Sequence, residues 1–412
     1  MNQQHVLIIG TVWVEPNSSA AGSRMLQLIE LFLKQGFAIT FACASQKNEN
    51  SISLNSLGVD EISIQLNSSS FDRFIKELNP SIVLFDRFLT EEQFGWRVLE
   101  HCPNALRILD TEDLHFLRKV RNQQLKKGEE FMNEALLKAD VTKREIASIL
   151  RCDLSLIIST YEMDLLKSVF KIDGKILYYL PFLFDPIEKN QIEKWKSFSD
   201  RKYFAFIGNF LHKPNVDAVI TLKNEIWDEI KKLIPEAEVH IYGAYVTQQI
   251  QQMHNTKDGF IIKGFAKNAK EVIESARVVL APLRFGAGIK GKLSEAMLCG
   301  TPSVTTSIGA EGMCGRFPWN GFIKDDFNQF SKKAIELYSD NNVWIISQKN
   351  GIEIINNIYD KEKLSPDFIA KIEILLQNLA KHRTQNFLGS LLQYQTLQAT
   401  KYMSKWIEEK NG

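Results

Sequence analysis

The sequence lacks the features typical of a secreted, membrane-spanning or nucleic-acid-binding protein. Its five cysteines are scattered, with no C-x-x-C pair, which argues against a disulfide framework or a zinc site and favours a reducing cytoplasm. The apolar run 6–9 is too short for a signal-peptide core. No run approaches the roughly 18 apolar residues of a membrane span, so we expect a soluble protein, while contact with a membrane surface stays open. Fifty basic residues against 49 acidic ones leave a net charge of +1, which gives no electrostatic reason to expect nucleic acid as a partner.

Two motifs are also absent. No G-x-G-x-x-G follows the first strand-like run, which disfavours a nicotinamide-dependent dehydrogenase. No D-x-D pair occurs anywhere in the chain, and a metal-clamped diphosphate usually needs two carboxylates close together. If the chain binds a diphosphate, we therefore expect no metal cofactor, with lysines and helix ends in place of Mg²⁺.

The order of apolar runs predicts the fold class. At 412 residues the chain is too long for one ordinary core, so two domains are expected. Short runs rich in Val, Ile and Leu alternate with segments of helical spacing, which indicates parallel sheets with helices on both faces. The strand-like runs are HVLIIG, AITFACA, SIVLFD, ALRILD, SLIISTYE and KILYYLPF, then YFAFIGN, EVHIYG, GFIIKGF, ARVVLAP and PSVTT. We predict an α/β protein with two doubly wound, Rossmann-like domains, over residues 1–185 and 200–385, facing each other across a ligand-binding cleft.

One segment of the second half carries most of the chemistry. Residues 281–313 read APLRFGAGIKGKLSEAMLCGTPSVTTSIGAEGM, in which a glycine-rich loop follows a strand and precedes a helix that we expect to open at about Leu293. Glycines let the backbone approach an anion, and a helix N-terminus presents free N–H groups. Lys290 and Lys292 can neutralise phosphate, and Glu295, expected in the first helical turn, can accept hydrogen bonds from sugar hydroxyls. The segment therefore predicts a site for a phosphorylated ligand that carries a ribose or a hexose.

The same residues carry a family resemblance. The run Glu295-Ala296-Met297-Leu298-Cys299-Gly300-Thr301-Pro302 is similar to the E-A-M-x-x-G-x-P pattern that ends the donor-site E-x7-E motif of GT-B glycosyltransferases of family 4, the retaining "glycosyl transferases group 1" type. The first glutamate of that motif is replaced by Ala287. A subgroup with the sequence motif GAGIKGK also lacks this glutamate and uses the lysines instead, and the chain resembles that subgroup. The resemblance further implies that a C-terminal helix, here residues 386–412, crosses back to the first domain.

The resemblance also implies the roles of the donor-site residues. Glu295 would hold the ribose hydroxyls and Lys290 and Lys292 the diphosphate, with loop glycines approaching the phosphates. An acidic residue that complements a helix dipole, and solvated loop lysines, are the alternatives. The other donor-binding residues implied are Gly22, Arg24, Gly208, Asn209, Lys213, Gly264, Phe265, Ala266, Gly286, Gly288, Ile289 and Glu311. Lys213 and Glu311 are explained equally well as a surface lysine and a turn residue.

A dense run of titratable groups follows the ALRILD strand of the first half. His115 would contact the transferred sugar, by the same resemblance, and Asp113 would orient its imidazole. Arg118 is either a second anion contact or part of a basic helix face. Ser159 and Glu162 match a family position near the cleft, but a helix cap with its box partner explains them without any chemistry, and we favour the cap. Trp13, Phe88 and Trp96 either stack on a sugar or are buried.

The resemblance implies a retaining glycosyltransferase that moves a sugar from a nucleotide-diphospho-sugar to a hydroxyl of a glycan or glycoconjugate acceptor, without a metal. Two alternatives stay open. One is a nucleotide-sugar epimerase on the same scaffold, and the other is a degenerate, non-catalytic nucleotide-sugar-binding protein. The sequence does not specify the nucleotide, the sugar, the acceptor or the oligomeric state.

Overall fold

Residues 4–411 are described by the computed structural model, except for the side chains of residues 396, 397 and 411. The predicted first domain includes residues 1–3 and the predicted tail helix includes residue 412, and these four residues lie outside the described part. The first sheet is parallel with strand order β3-β2-β1-β4-β5-β6-β7. Its strands are β1 (His5–Gly10), β2 (Ala38–Cys43), β3 (Asp60–Ser63), β4 (Ile82–Asp86), β5 (Leu106–Asp110), β6 (Leu154–Ile157) and β7 (Leu177–Tyr179).

Helices cover both faces of this sheet. They are α1 (Ala20–Lys34), α2 (Ser70–Leu78), α3 (Arg87–His101), α4 (His115–Lys127), α5 (Asn133–Lys138), α6 (Asp140–Arg151) and α7 (Thr160–Ser168), with short 3₁₀ turns at Leu54–Leu57 and Gly174–Ile176. Alternate residues of β1 enter opposite cores, since Val6 and Ile8 pack on one face while Leu7 and Ile9 pack on the other. The continuous apolar runs of the sequence reflect this two-sided burial.

The second sheet repeats the same topology. Its strands are β8 (Tyr203–Ile207), β9 (Val239–Tyr242), β10 (Phe260–Gly264), β11 (Ala276–Ala281), β12 (Ser303–Thr305) and β13 (Gly321–Ile323), in the parallel order β10-β9-β8-β11-β12-β13. Its helices are α8 (Lys189–Ile192), α9 (Lys213–Thr221), α10 (Trp227–Leu233), α11 (Gln248–Gln251), α12 (Ala269–Ser275), α13 (Gly291–Leu298), α14 (Ser307–Ala310), α15 (Phe327–Ser339) and α16 (Asn341–Ile358). A 3₁₀ turn covers Phe198–Asp200, and a π-helical segment, Leu222–Ile226, joins α9 to α10.

The second sheet has the 3-2-1-4-5-6 order of doubly wound domains, and the first has the same order with a seventh strand added, so the predicted α/β fold with two Rossmann-like sheets is confirmed. Two short strands, β3 and β13, were not predicted. Both lie at sheet edges, and the exposed residues of β3 give no apolar run. The chain reverses its strand order at β1 and β4 in the first sheet, and at β8 and β11 in the second. Ligand crevices form beyond the carboxyl ends of strands at such points.

The chain returns to the first domain earlier than predicted. Its last helices are α17 (Lys361–Gln377), α18 (Leu379–Gln385) and α19 (Phe387–Asn411). Phe368 and Ile372 of α17 are fully buried in the same core as Phe32 of α1. The predicted domain limit at residue 385 therefore differs from the packing, because the apolar residues of α17 face the first sheet. The predicted tail helix exists and contacts α3 and α6.

Candidate active site

A cleft of about 1060 Å³ separates the two domains and is lined by the carboxyl-end loops of both sheets. The sequence-predicted residues that line it are Asp113, His115, Gly208, Asn209, Phe265, Ala266, Gly286, Ile289, Lys290, Lys292 and Glu295. The structure therefore brings the lysine-bearing loop and the predicted histidine to opposite walls of one cavity. Gly22, Arg24, Lys213, Gly264, Gly288 and Glu311 do not line it.

Lys292 occupies the first turn of α13, which begins at Gly291, two residues before the predicted start. A Cβ at position 291 would lie 2.6 Å from the Cβ of Ala20, so only glycine lets this helix start so close to the first domain. The Lys292 Nζ donates to Asn215 Oδ1 (2.5 Å) and lies 4.1 Å from the centroid of the Phe206 ring. Burial lowers the pKa of Lys292 to about 7, although Glu295 opposes this shift. A bound diphosphate would restore the charged form of this amine.

Glu295 lies one turn further along α13. It is the fifth residue of the helix, so the prediction that it stands in the first turn is wrong, and complementing the helix dipole does not explain it. Burial raises the pKa of Glu295 to about 7, and the neighbouring Lys292 lowers it in part. Its carboxyl group lines the cleft beside Lys292 and can bind hydroxyl groups of a ligand.

Lys290 is the residue before α13 and is almost completely buried. Its Nζ donates to the Gly288 carbonyl (2.8 Å), and burial lowers its pKa to about 8. Two lysines thus lie at the start of one helix with amines that are poorly solvated, which strengthens their attraction for an anion. Gly286 and Ile289 line the cleft beside them.

The first-domain wall contains three linked polar residues. Asp113 Oδ2 accepts from Arg118 Nη1 (2.6 Å), and its Oδ1 lies 3.3 Å from His115 Nε2. Burial lowers the pKa of His115 to about 4, so the imidazole is neutral at physiological pH. The predicted contact between Asp113 and His115 is present. Arg118 lines the cleft and takes part in this cluster, so it is not merely part of a basic helix face.

His212 of the second domain completes the cluster and was missed by the sequence analysis. Its Nε2 accepts from Arg118 Nη1 (2.7 Å), and burial together with Arg118 lowers its pKa to about 3. His212 is the N-cap of α9, four residues after the Gly208 turn. Because Arg118 and His212 are 94 positions apart, only the tertiary structure shows that they meet.

Gly22 and Arg24 lie in α1, and neither lines the cleft. A Cβ on Gly22 would lie 2.3 Å from the Glu15 carbonyl oxygen, so this glycine permits close packing of the turn before the helix. Arg24 is buried and donates to Asp110 Oδ1 (2.8 and 3.0 Å) and to the Leu180 carbonyl (2.8 Å). Its guanidinium holds two strand ends together and does not reach the cleft.

Glu162 does not serve in a helix cap. Ser159 makes no side-chain cap, and Glu162 Oε1 instead accepts from the Leu114 amide (2.9 Å) and the Gly288 amide (2.8 Å). It thereby joins the first domain to the glycine-rich loop of the second. Gly288 has φ +64°, and its added Cβ would lie 2.7 Å from the Cβ of Asp113, so this glycine contacts the other domain rather than a ligand.

The remaining predicted residues lie outside the cleft for simple reasons. Lys213 is exposed at the start of α9, which agrees with the surface alternative. Glu311 accepts from Arg121 (2.7 and 2.8 Å) in an interdomain ion pair. Gly264 ends β10 with φ +77° and open space around its Cα. The aromatic residues proposed for sugar stacking are buried and do not line the cleft: Trp13, Phe88 and Trp96.

The cleft is also lined by charged residues that were not predicted as site residues, among them Arg87 and Glu112. Arg87 directly follows β4 and Glu112 lies two positions after β5, and both line the cavity. Both have positive φ angles (70° and 61°), which is uncommon for residues other than glycine and concentrates at functional sites. Propensity rules give no signal for such a backbone conformation at Arg or Glu.

Comparisons with known proteins agree with this architecture. Residues 201–340 match the family model described as Glycosyl transferases group 1. No curated protein sequence matches the chain. A sucrose-phosphate synthase from Thermosynechococcus elongatus superimposes with a TM-score of 0.67 at 14% identity, covering 91% of this chain and 100% of its own. TarM has a TM-score of 0.67 at 11% identity, covering 89% of this chain and 98% of its own.

A third solved structure is HepE from Anabaena in complex with UDP and glucose. It superimposes with a TM-score of 0.62 at 11% identity, covering 89% of this chain and 99% of its own. At these identities the similarity concerns the fold, which is GT-B. The chain therefore has the GT-B fold, and its second domain is similar to the group 1 glycosyl transferases.

Proposed function

We propose that the protein transfers a sugar from a nucleotide-diphospho-sugar to a hydroxyl of a glycan or glycoconjugate acceptor, with retention of anomeric configuration and without a metal ion. The observation that carries the proposal is the position of Lys292 and Glu295 on one wall of the cleft, opposite His115 and Asp113. A cation and a carboxyl group one helical turn apart match a diphosphate and the hydroxyls of the adjoining ribose.

The leaving group of this reaction is a nucleotide diphosphate, whose growing negative charge must be stabilised. As the glycosidic bond breaks, negative charge grows on the nucleotide diphosphate, and Lys292, Lys290 and the first N–H groups of α13 would stabilise it. Such preorganised groups usually contribute more to catalysis than a single acid or base. In residues 4–411 no three His, Cys, Asp or Glu side chains form a metal-binding group. The proposal assigns the role of a metal to the two lysines.

Neutral His115 would contact the transferred sugar from the opposite wall, with Asp113 fixing its ring. Two solved structures of similar fold support a nucleotide-sugar donor and a sugar acceptor: S. aureus TarM is in complex with fondaparinux, alpha-GlcNAc-glycerol and UDP, and HepE is in complex with UDP and glucose. None of the helices that the structure describes is long and apolar enough to span a membrane. We propose the cytoplasm as the site of action because all five cysteines are free thiols.

A donor screen tests the proposal. The protein is incubated with UDP-, GDP- and CMP-sugars, with and without a mixture of sugar acceptors, and released nucleotide is measured. We expect acceptor-stimulated release of one nucleotide, unchanged by EDTA, and an α-linked product from an α-linked donor. A changed epimer of the donor without an acceptor would instead indicate an epimerase. Nucleotide binding without any turnover would indicate a non-catalytic binding protein.

A further inference from the structure

The carboxyl ends of β4 and β5 place a second polar cluster in the cleft. Asp86 and Asp110 are paired in register at the ends of these neighbouring strands. Arg87 and Glu112 follow them, and both side chains line the cavity. The switch point of the first sheet therefore carries charged groups that the donor site does not use.

This cluster contains both hydrogen-bond acceptors and hydrogen-bond donors that have no partner among the described residues. Glu112 Oε1 and Asp86 Oδ1 are buried and have no hydrogen-bond partner. Within residues 4–411, no oxygen accepts a hydrogen bond from the Arg87 guanidinium, whose contact with Asp86 Oδ1 is 3.5 Å long. Arg24, in the same domain, differs, because its buried guanidinium donates hydrogen bonds to Asp110 and to two backbone carbonyls. A purely structural role for Arg87 would predict similar pairing.

The balance of charge indicates what the cluster can bind. Arg24 is paired with Asp110 and Arg118 with Asp113, which leaves Arg87 facing Asp86 and Glu112. Burial raises the pKa of Glu112 well above its usual value, and Asp110 raises it further, which favours the neutral form of this carboxyl. Arg87 and Asp86 offset each other's charge. A phosphate or carboxylate placed there would find the Arg87 cation already paired with Asp86, and the carboxyl group of Glu112 beside it.

Hydroxyl groups fit the arrangement better than an anion does. Each hydroxyl both donates and accepts, and adjacent hydroxyls of a sugar ring can use the Arg87 N–H groups and the Glu112 carboxyl group at once. We infer that Arg87 and Glu112 form the acceptor subsite and that this subsite takes a pair of adjacent, uncharged sugar hydroxyls. The inference rests on the proposed function, since it names the class of acceptor that this cleft selects.

A binding experiment tests the subsite without requiring turnover. The probes are methyl α-glucoside, glucuronate and glucose 6-phosphate, titrated against the full chain with and without UDP and followed by ligand-observed NMR. The variants are Arg87→Asn and Glu112→Asn, because asparagine tolerates a positive φ and its short side chain withdraws the polar group. Arg144→Asn and Glu92→Asn are matched controls, since these residues form an ion pair away from the cleft.

We expect the wild-type protein to bind the glucoside more tightly than either anion. Each variant at position 87 or 112 should weaken glucoside binding about tenfold, the effect of losing a hydrogen bond to a charged or buried group. The controls should retain wild-type affinity, and UDP affinity should stay unchanged in all four variants. Wild-type preference for an anionic probe, absence of glucoside binding, or unchanged glucoside binding in both site variants would each overturn the inference. Failure of the wild-type protein to bind UDP would count against the proposed function alone.

Discussion

At the scale of single residues, two ionisable groups with shifted pKa values define the donor wall of the cleft. The pKa of Lys292 is lowered to about 7 and that of Glu295 is raised to about 7, in each case mainly by burial. Near pH 7 both groups are therefore only partly ionised before a ligand arrives. An incoming diphosphate favours protonated Lys292, so binding the ligand also charges the group that stabilises the leaving nucleotide.

Removing this amine should abolish most of the transfer activity. We expect Lys292→Ala to reduce turnover by about 100- to 1,000-fold, the usual cost of losing one preorganised group that stabilises developing charge. Lys213→Ala is the matched control, because Lys213 is exposed and lies outside the cleft. Nucleotide release is the readout, and unchanged thermal melting shows that the fold is intact. Equal turnover in the two variants would contradict the role of Lys292.

The affinity for UDP should fall as the pH rises above about 7. Below about pH 7, Lys292 is already protonated, so pH has no further effect through this group. Above that pH the free protein must take up a proton to bind the diphosphate, and the affinity should fall by up to about tenfold per pH unit. Glu295 acts in the same direction, because a nearby anion favours its protonated form.

Titration calorimetry between pH 7 and 9 measures this dependence. The terminal phosphate of UDP has already lost its second proton there, since that pKa is about 6. Lys292→Arg provides the comparison, because an arginine stays charged over this range and should flatten the profile. A wild-type affinity that does not change up to pH 9 would contradict the lowered pKa of Lys292.

At the scale of elements, the glycine-rich loop between β11 and α13 is held by the first domain as well as by its own. Glu162 accepts the Gly288 amide, and Arg121 donates to the Gly286 carbonyl (2.9 Å). The sequence predicted this loop, its lysines and the following helix, because glycine spacing and apolar runs are local signals. It did not predict the role of Glu162, whose spacing after Ser159 matches a capping box equally well.

Substitution of Gly288 by alanine should therefore destabilise the protein by more than the strain of a positive φ angle alone. Gly288 and Gly128 have similar φ angles (+64° and +69°), so alanine strains both backbones by about 1–2 kcal/mol. A Cβ at Gly288 also meets Asp113 at 2.7 Å, whereas Gly128 has nothing within 4 Å. We expect Gly288→Ala to lower the melting temperature more than Gly128→Ala and, unlike it, to reduce turnover. Equal effects of the two substitutions would show that the contact with Asp113 is unimportant.

At the scale of the whole molecule, the two domains are closed on each other by polar contacts. Arg121 pairs with Glu311, and the Asn50 amide donates to the Tyr245 hydroxyl (2.9 Å). An added Cβ on Gly312 would lie 2.3 Å from Ser159 Oγ, so the interface between the two domains, here called the seam, is also tightly packed. Closure of this kind excludes water from a reactive donor.

Breaking the main ion pair of the seam should shift the protein towards an open form. Arg121 and Glu311 are largely buried, and truncating one partner of such a pair typically costs about 2 kcal/mol or more. We expect Arg121→Ala to give a larger radius of gyration in X-ray scattering and lower turnover, whereas Arg144→Ala, which removes an exposed pair, changes neither. A wild-type scattering profile in Arg121→Ala would show that other contacts suffice for closure.

The overall architecture could be predicted from the sequence, because alternating apolar runs and helical segments determine a doubly wound fold. The boundaries of the two domains were less predictable. Phe368 and Ile372 are apolar positions of a helix, and nothing local indicates which of two sheets they cover. For the same reason the pairs that build the seam, such as Arg121 with Glu311, 190 positions apart, required the tertiary structure. Arginine shows the complementary failure, since Arg24 was predicted to bind the donor but lies outside the cleft, whereas Arg87 was not predicted and lines it.

A crystal structure of the complex with UDP tests the central claim most directly. The account predicts that the diphosphate lies in the interdomain cleft, within hydrogen-bond distance of Lys292 Nζ and the start of α13. It also predicts that a ribose hydroxyl is bound by Glu295 and that His115 faces the terminal phosphate from the opposite wall. A UDP molecule bound outside this cleft, or bound within it without contact to Lys292 and Glu295, would contradict the account.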